Sequence, residues 1–186
     1  MKLAWIALVL CLVSSARADG LVPFRTPMFR LGAGVAKPDL ADAGDSRETL
    51  NTGYSFEADA LIAVTPTAGV GLHTSIAHFN GSAELEETPT HATLQHVTEV
   101  PVIIAATFEQ RLFRIAFVAP FLGWHANRLH DNLETAWESG LAYGGSLGVD
   151  IVNRGGDRLA AFVTITEWST PEQNHAVFTL GLEYRR

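Results

Sequence analysis

The chain has almost no cysteine: Cys11 is the single one, and it lies inside an N-terminal apolar segment. No internal disulfide can form, so an exported domain would need another means of holding itself together. Metal-binding cysteine pairs are excluded for the same reason, and the seven histidines show no metal-ligand spacing. His91 and His96, five apart, would face opposite sides of a strand. Beyond the first twenty residues there is also no helical membrane span. The longest uncharged apolar stretch, Ile115 to Trp124, is broken by Pro120, and a spanning helix needs roughly 20 apolar residues. Basic residues are in deficit, 13 against 20 acidic ones, for a net charge of −7. That balance argues against nucleic acid as a partner. There is no phosphate-cradling glycine loop, fixed-period repeat or low-complexity tract, and nothing calls for a cofactor.

What is present begins with a leader. Met1-Lys2 is followed by an apolar run from Leu3 to Val13 and then by Ser14-Ser15-Ala16-Arg17-Ala18. A positive start, a short apolar stretch and an A-x-A site predict a secretory signal peptide over residues 1–18, cleaved before Asp19. Leu10 precedes Cys11 where lipid attachment wants a small residue, so lipidation is not expected. Residues 19–186 then form one domain, two charge units more acidic once Lys2 and Arg17 leave.

The composition is 47% hydrophobic, and with no helical span those residues must be spread over many short segments. They alternate with period two, the strand signature. In Gly140 to Ile151, Leu141, Tyr143, Leu147, Val149 and Ile151 share one face, while Gly140, Ala142, Gly144, Ser146, Gly148 and Asp150 share the other. The same division recurs from Phe29 to Ala36, Tyr54 to Val64, Val70 to Ala77, Glu99 to Glu109, Val118 to Asn127 and Ala176 to Arg185. Leu159 to Trp168 is the weakest segment, because Phe162 and Trp168 blur its faces. Short turns are expected at Thr65-Pro66-Thr67, around Gln110 to Phe113 and at Asn153 to Asp157. Longer polar loops are expected over 37–52, 80–92, 126–138 and 169–174. Eight strands with alternating short and long connections describe an all-β, eight-stranded antiparallel up-and-down transmembrane β-barrel.

The charges support this. Arg30, Glu57, Asp59, Glu99, Glu109, Asp150, Glu183 and Arg185 all fall on the less apolar face. A bilayer offers no water to the backbone, so a sheet crosses only when closed on itself, with one face to lipid and one to the lumen. A soluble lipocalin-like periplasmic barrel would invert the faces, and alternation by itself does not separate the two. The Gly-rich second face (Gly32, Gly34, Gly71, Gly144, Gly148) suits a narrow lumen. Phe29, Tyr54, Phe108, Trp124, Tyr143 and Tyr184 suit interfacial girdles.

The last segment, Phe178-Thr179-Leu180-Gly181-Leu182-Glu183-Tyr184-Arg185-Arg186, resembles the closing strand of small outer-membrane β-barrel proteins, the broad family that includes relatives of the OmpA membrane domain and OmpW-like barrels. Gly181, Leu182 and Tyr184 match its pattern, and Arg186 stands where the terminal aromatic would be. Val100-Pro101-Val102 and Ala119-Pro120-Phe121-Leu122-Gly123 look like the family's middle hairpin. The resemblance implies an outer-membrane location in a Gram-negative envelope, with membrane lipids and the barrel-insertion machinery as partners. It implies no activity, since the fold hosts unrelated functions.

A nucleophile reading of His73-Thr74-Ser75 would use Ser75 with His73 as base and Glu84, Glu86 or Glu87 as orienter. Two lumen-filling residues are the more economical reading, and no enzyme is expected. The acidic groups Asp39, Asp42, Asp45 and Glu48, and Glu84 to Glu87, read as solvated loop surface rather than a cation site. The expected role is structural or surface interaction, with a narrow channel or a small hydrophobic-ligand binder as alternatives. Arg30 and Arg185 sit on the first and last strands, which adjoin in a closed barrel. They should draw in carboxylates such as Glu57 or Glu183 and plug the lumen.

Overall fold

The structure is a computed structural model and describes residues 28–41, 48–65, 67–88, 91–112, 115–130, 135–154, 157–169 and 174–185. The expected signal peptide lies outside the described residues. The chain runs β1 (Met28–Ala41), β2 (Glu48–Leu50), β3 (Gly53–Thr65), β4 (Ala68–Thr88), β5 (His91–Leu112), β6 (Ala116–His130), β7 (Thr135–Arg154), β8 (Asp157–Ser169) and β9 (Asn174–Arg185). All but β2 form one antiparallel up-and-down ring, in which β4 pairs with β5 and β1 pairs with β9. The closing ladder runs from Arg30 opposite Arg185 to Ala41 opposite Asn174. Every strand thus has two hydrogen-bonded neighbours over the membrane-crossing part, and no edge is left for lipid to meet.

The faces sort as the alternation requires. Leu31, Ile104 and Leu180 are 62%, 59% and 63% exposed on the outside, while Arg30 and Glu109 are 2% and 1% exposed within. Apolar side chains thus point outward and charges inward, the reverse of a soluble barrel. Tyr54, Trp124 and Tyr184 stand on the apolar outer surface, where girdle residues belong.

The polar stretches expected as long loops are largely strand. The 80–92 stretch is a hairpin of β4 and β5, from Asn80 opposite Thr98 to Thr88 opposite His91. Residues 126–130 end β6 and 135–138 begin β7, and 37–41 continue β1. Residues 48–50 form β2, laid along Gly81–Ala83 of β4. The physical reason is simple. A strand that leaves the membrane need not keep one face apolar, so the period-two signal is lost while the backbone ladder continues. At the other end the connections are short, as between Thr65 and Ala68, where the Thr67 amide donates to Thr65 Oγ1 at 3.2 Å. Arg111, expected in a turn, belongs to β5.

The inner face is less uniformly small than the glycines suggest. Phe79, Phe117, Phe121, Phe162 and Trp168 are all buried there. Phe162 and Trp168, ambiguous by pattern, therefore face the lumen, which eight strands leave just wide enough for side chains to fill. The glycines make the room. A Cβ on Gly148 would collide with the Phe117 ring, and one on Gly144 would come within 2.6 Å of Phe121 Cζ.

Candidate functional site: the barrel lumen

The lumen is stacked in layers. In the layer near the short turns, Arg30 and Arg185 stand directly opposite each other on β1 and β9, a like-charge pair that is unfavourable unless bridged. Glu109 of β5 bridges it from across the barrel. Arg185 Nη1 donates to Glu109 Oε1 at 2.6 Å, and Arg30 Nη1 lies 3.4 Å from Glu109 Oε2. Glu183 takes Arg185 Nη2 at 3.0 Å and lies 3.7 Å from Arg30 Nη1. Asp59 Oδ2 takes Arg30 Nη2 at 2.7 Å and Nε at 3.0 Å. Both guanidiniums sit over the Phe117 ring, 5.0 and 4.5 Å from its centroid, within cation–π range. His73 Nδ1 donates to Asp59 Oδ1 at 3.0 Å while its ring stacks on Phe121 at 4.4 Å. At the turn-end mouth Asp150 is held by Arg111 at 2.5 Å and by Arg158 at 3.3 Å.

The middle layer is neutral in its contacts. Thr164 Oγ1 donates to Glu57 Oε2 at 3.1 Å, which leaves Ser146 to donate to Thr164 at 2.8 Å. Ser55 donates to Thr179 at 3.2 Å. A cavity lined by Ser55, Glu57, Ser75, Thr166, Trp168 and Thr179, among others, offers about 20 Å³ to water-sized spheres, room for a water or so. In the layer toward the hairpins, Asn127 Nδ2 donates to Glu99 Oε1 at 2.7 Å, and His175 Nδ1 lies 3.9 Å from the same oxygen. His175 stacks on Trp168 at 5.3 Å, and His125 lies against Trp168 at 5.7 Å.

The eight charged residues singled out from the pattern therefore fall into four groups. Arg30, Asp59, Glu109, Glu183 and Arg185 make one network; Glu57, Glu99 and Asp150 sit apart from it. Asp59 and Glu109 complete the shell of Arg30, where Glu57 was expected. Pattern reading missed Arg111 and Arg158, which lie where strands were taken to have ended, and Phe117 as the ring beneath both arginines. Strand parity carried one step further would have found all three. Of the two residues weighed as a nucleophile pair and read as lumen filling, His73 is engaged by Asp59 and Phe121, and Ser75 lines the small cavity. The side chains of Glu84, Glu86 and Glu87 lie outside the described set. Among the described residues, no group of three His, Cys, Asp or Glu side chains is placed to hold a metal ion.

Several solved structures share this architecture. Ail, the attachment invasion locus protein of Yersinia pestis, superposes with a TM-score of 0.64 at 15% identity, over 87% of this chain and 100% of Ail. A major outer membrane protein of Thermus thermophilus gives 0.56 at 14% identity, over 87% of this chain and 100% of its own. Neisserial surface protein A gives 0.54 at 12% identity, over 88% and 98%. The chain has the fold of a small outer-membrane β-barrel. In this barrel, layers of lumen charge and aromatic rings occupy what a porin would leave as a channel. No family model matches the sequence, and no curated protein matches it.

Proposed function

We propose that the protein is a closed outer-membrane barrel that works through its projecting hairpins, as a structural or surface-interaction element, and neither catalyses a reaction nor passes solutes. The observation that carries this reading is the bridged network of Arg30, Glu109, Arg185 and Glu183 over Phe117, which spans the lumen from β1 and β9 to β5 and β6. The small size of the cavity beside Ser75 supports reading that hydroxyl as a lumen filler. The short turns are assigned to the periplasm and the hairpins to the cell exterior, the usual arrangement of such barrels.

Ail was solved with the heparin analogue sucrose octasulfate. The hairpin end of the present chain is acidic, with Asp42, Asp45, Glu84, Glu86, Glu87 and Asp131 in or beside its connections and few cations among them. A basic surface is therefore a better partner for it than a sulfated sugar.

Single-channel recording in planar bilayers tests the closed lumen. The purified protein should give no steady conductance at neutral pH and no liposome swelling in sugars. A large, stable conductance would overturn the reading and favour a channel.

A further inference from the structure

Trp168 is 2% exposed and lines the mid-lumen cavity, nearer the hairpin end of β8 than Thr166, the strand's other lining residue. Two imidazoles hold it. His175 is stacked on the indole with planes 5° apart, and His125 packs at 36°. The three rings meet one another by ring contact, beside the Asn127–Glu99 hydrogen bond of the same layer. Among the described residues the indole Nε1 has no hydrogen-bond partner, and neither ring nitrogen of the fully buried His125 meets one in good geometry, the Gly140 and Leu141 backbone being nearby. The cluster plays no part in the arginine network beneath it.

We propose that this layer is an acid-operated gate: protonation of His125 and His175 frees Trp168 and opens the cavity below it to the hairpin side. The proposal rests on the closed-lumen reading and extends it. Histidine is the one side chain whose ordinary titration falls between about pH 5 and 8, and two of them touch Trp168. Among the described residues, the other strands around the layer bring Ala36 of β1, Ser55 of β3, Ala77 and Phe79 of β4, Asn127 of β6 and Thr166 of β8, none of them ionisable. The carboxylates facing it are Glu99 of β5 and, by strand parity, Glu138 of β7, opposite Asn127. Glu57 lies across the cavity below.

Glu99 lies within reach of an imidazolium at His175. A second positive charge at His125 has no carboxylate in contact, and it sits near the first. A buried charge without a partner moves toward water when a route exists, and His125 and His175 lie in the part of the lumen toward the hairpins. The layer near the turns does not respond in this way. Its arginines stay charged, and His73 is already held by Asp59 at 3.0 Å. Acid therefore opens the mid-lumen cavity toward the hairpin side while the arginine layer stays in place.

The test is acrylamide quenching of Trp168 in the folded full-length protein with Trp5, Trp124 and Trp137 replaced by Phe. Quenching should rise roughly threefold as pH falls from about 7.5 to about 4, with its midpoint at or below the ordinary histidine range, while conductance stays at zero. His125→Gln with His175→Gln should flatten the curve, and ring-labelled NMR of the two histidines should titrate with the same midpoint. Quenching that stays level with pH in folded protein, or a rise that survives both substitutions, would overturn the gate. If the double variant fails to fold, a histidine midpoint that differs from the quenching midpoint does so instead. Conductance already present at neutral pH would instead sink the closed-lumen reading, so the two failures are distinct.

Discussion

Replacing Arg30 by Gln is the sharpest probe of the lumen network. Arg30 is 2% exposed and touches all three carboxylates of its layer, Asp59 at 2.7 Å, Glu109 at 3.4 Å and Glu183 at 3.7 Å. With both arginines present, two positive charges face three negative ones, with His73 in contact with Asp59. Without Arg30, three carboxylates face one guanidinium, and Asp59 loses its two shortest contacts. Breaking a buried pair from one side costs about 3–5 kcal/mol, and the excess of like charge puts this case at the upper end. Glu109→Gln is milder. It leaves two arginines facing two carboxylates, with Arg185 still on Glu183 and Arg30 still on Asp59, so a loss of about 1–3 kcal/mol follows, that of a charge-assisted hydrogen bond. The double variant restores the balance and should cost less than the sum by at least about 1 kcal/mol. Urea titration of the refolded barrel in lipid vesicles, followed by heat-modifiable gel mobility, reads all three. Arg30→Gln within about 0.5 kcal/mol of the parent protein, or strict additivity in the double variant, would refute the reasoning.

On the lipid face, Leu147→Arg should cost about 2–4 kcal/mol if the site lies near the bilayer midplane. Ser146→Ala, on the lumen side, gives up one neutral hydrogen bond to Thr164 and should cost about 1 kcal/mol; equal losses in a folding titration would reject the face assignment. Gly148→Ala should cost about 1–3 kcal/mol through overpacking, because its Cβ meets the Phe117 ring that both arginines pin, whereas Gly145→Ala, whose nearest neighbour is 3.4 Å away, should be close to neutral by the same assay. An epitope inserted at Asp131 should be labelled in intact cells and one at Gly155 only after the membrane is opened. The reverse would invert the orientation.

The period-two pattern was enough for the barrel and for its faces, because a strand with lipid on one side and a packed lumen on the other must alternate. It failed where that contrast ends. The β4–β5 hairpin above the membrane carries Ala83-Glu84-Leu85-Glu86-Glu87 with no apolar face to protect, and it reads as loop although its ladder is unbroken to Glu86. Membership of the lumen was legible residue by residue, but partnership was not. Strand parity puts Glu57, Asp59 and Glu109 inside alike. Which of them meets Arg30 depends on the stagger between strands, and Glu109 arrives from the far wall, 79 positions along the chain. Phe162 and Trp168 misled for a related reason. An inner face looks polar when its charges are counted, yet an eight-stranded lumen needs bulk as well.

The seam between β1 and β9 shows why charge is kept inside at all. The outer face cannot define how these strands meet. Phe29, Leu31, Ala33 and Val35 against Leu180, Leu182 and Tyr184 would present an equally apolar surface after a slip of two residues. The inner face separates the registers, although a slip in one direction would set Gly32 in place of Gly34 opposite Gly181. Gly34 lies opposite Gly181, and a Cβ on either would strike the backbone of the other strand. Arg30 and Arg185 are level with each other only in this register, and only then can the single carboxylate of Glu109 hold both. Buried ion pairs add little net stability compared with apolar packing, and specifying register is among their best-attested uses. The same residues therefore align the closing strands and block the lumen, so an open channel could not be had by thinning the plug without also loosening the seam.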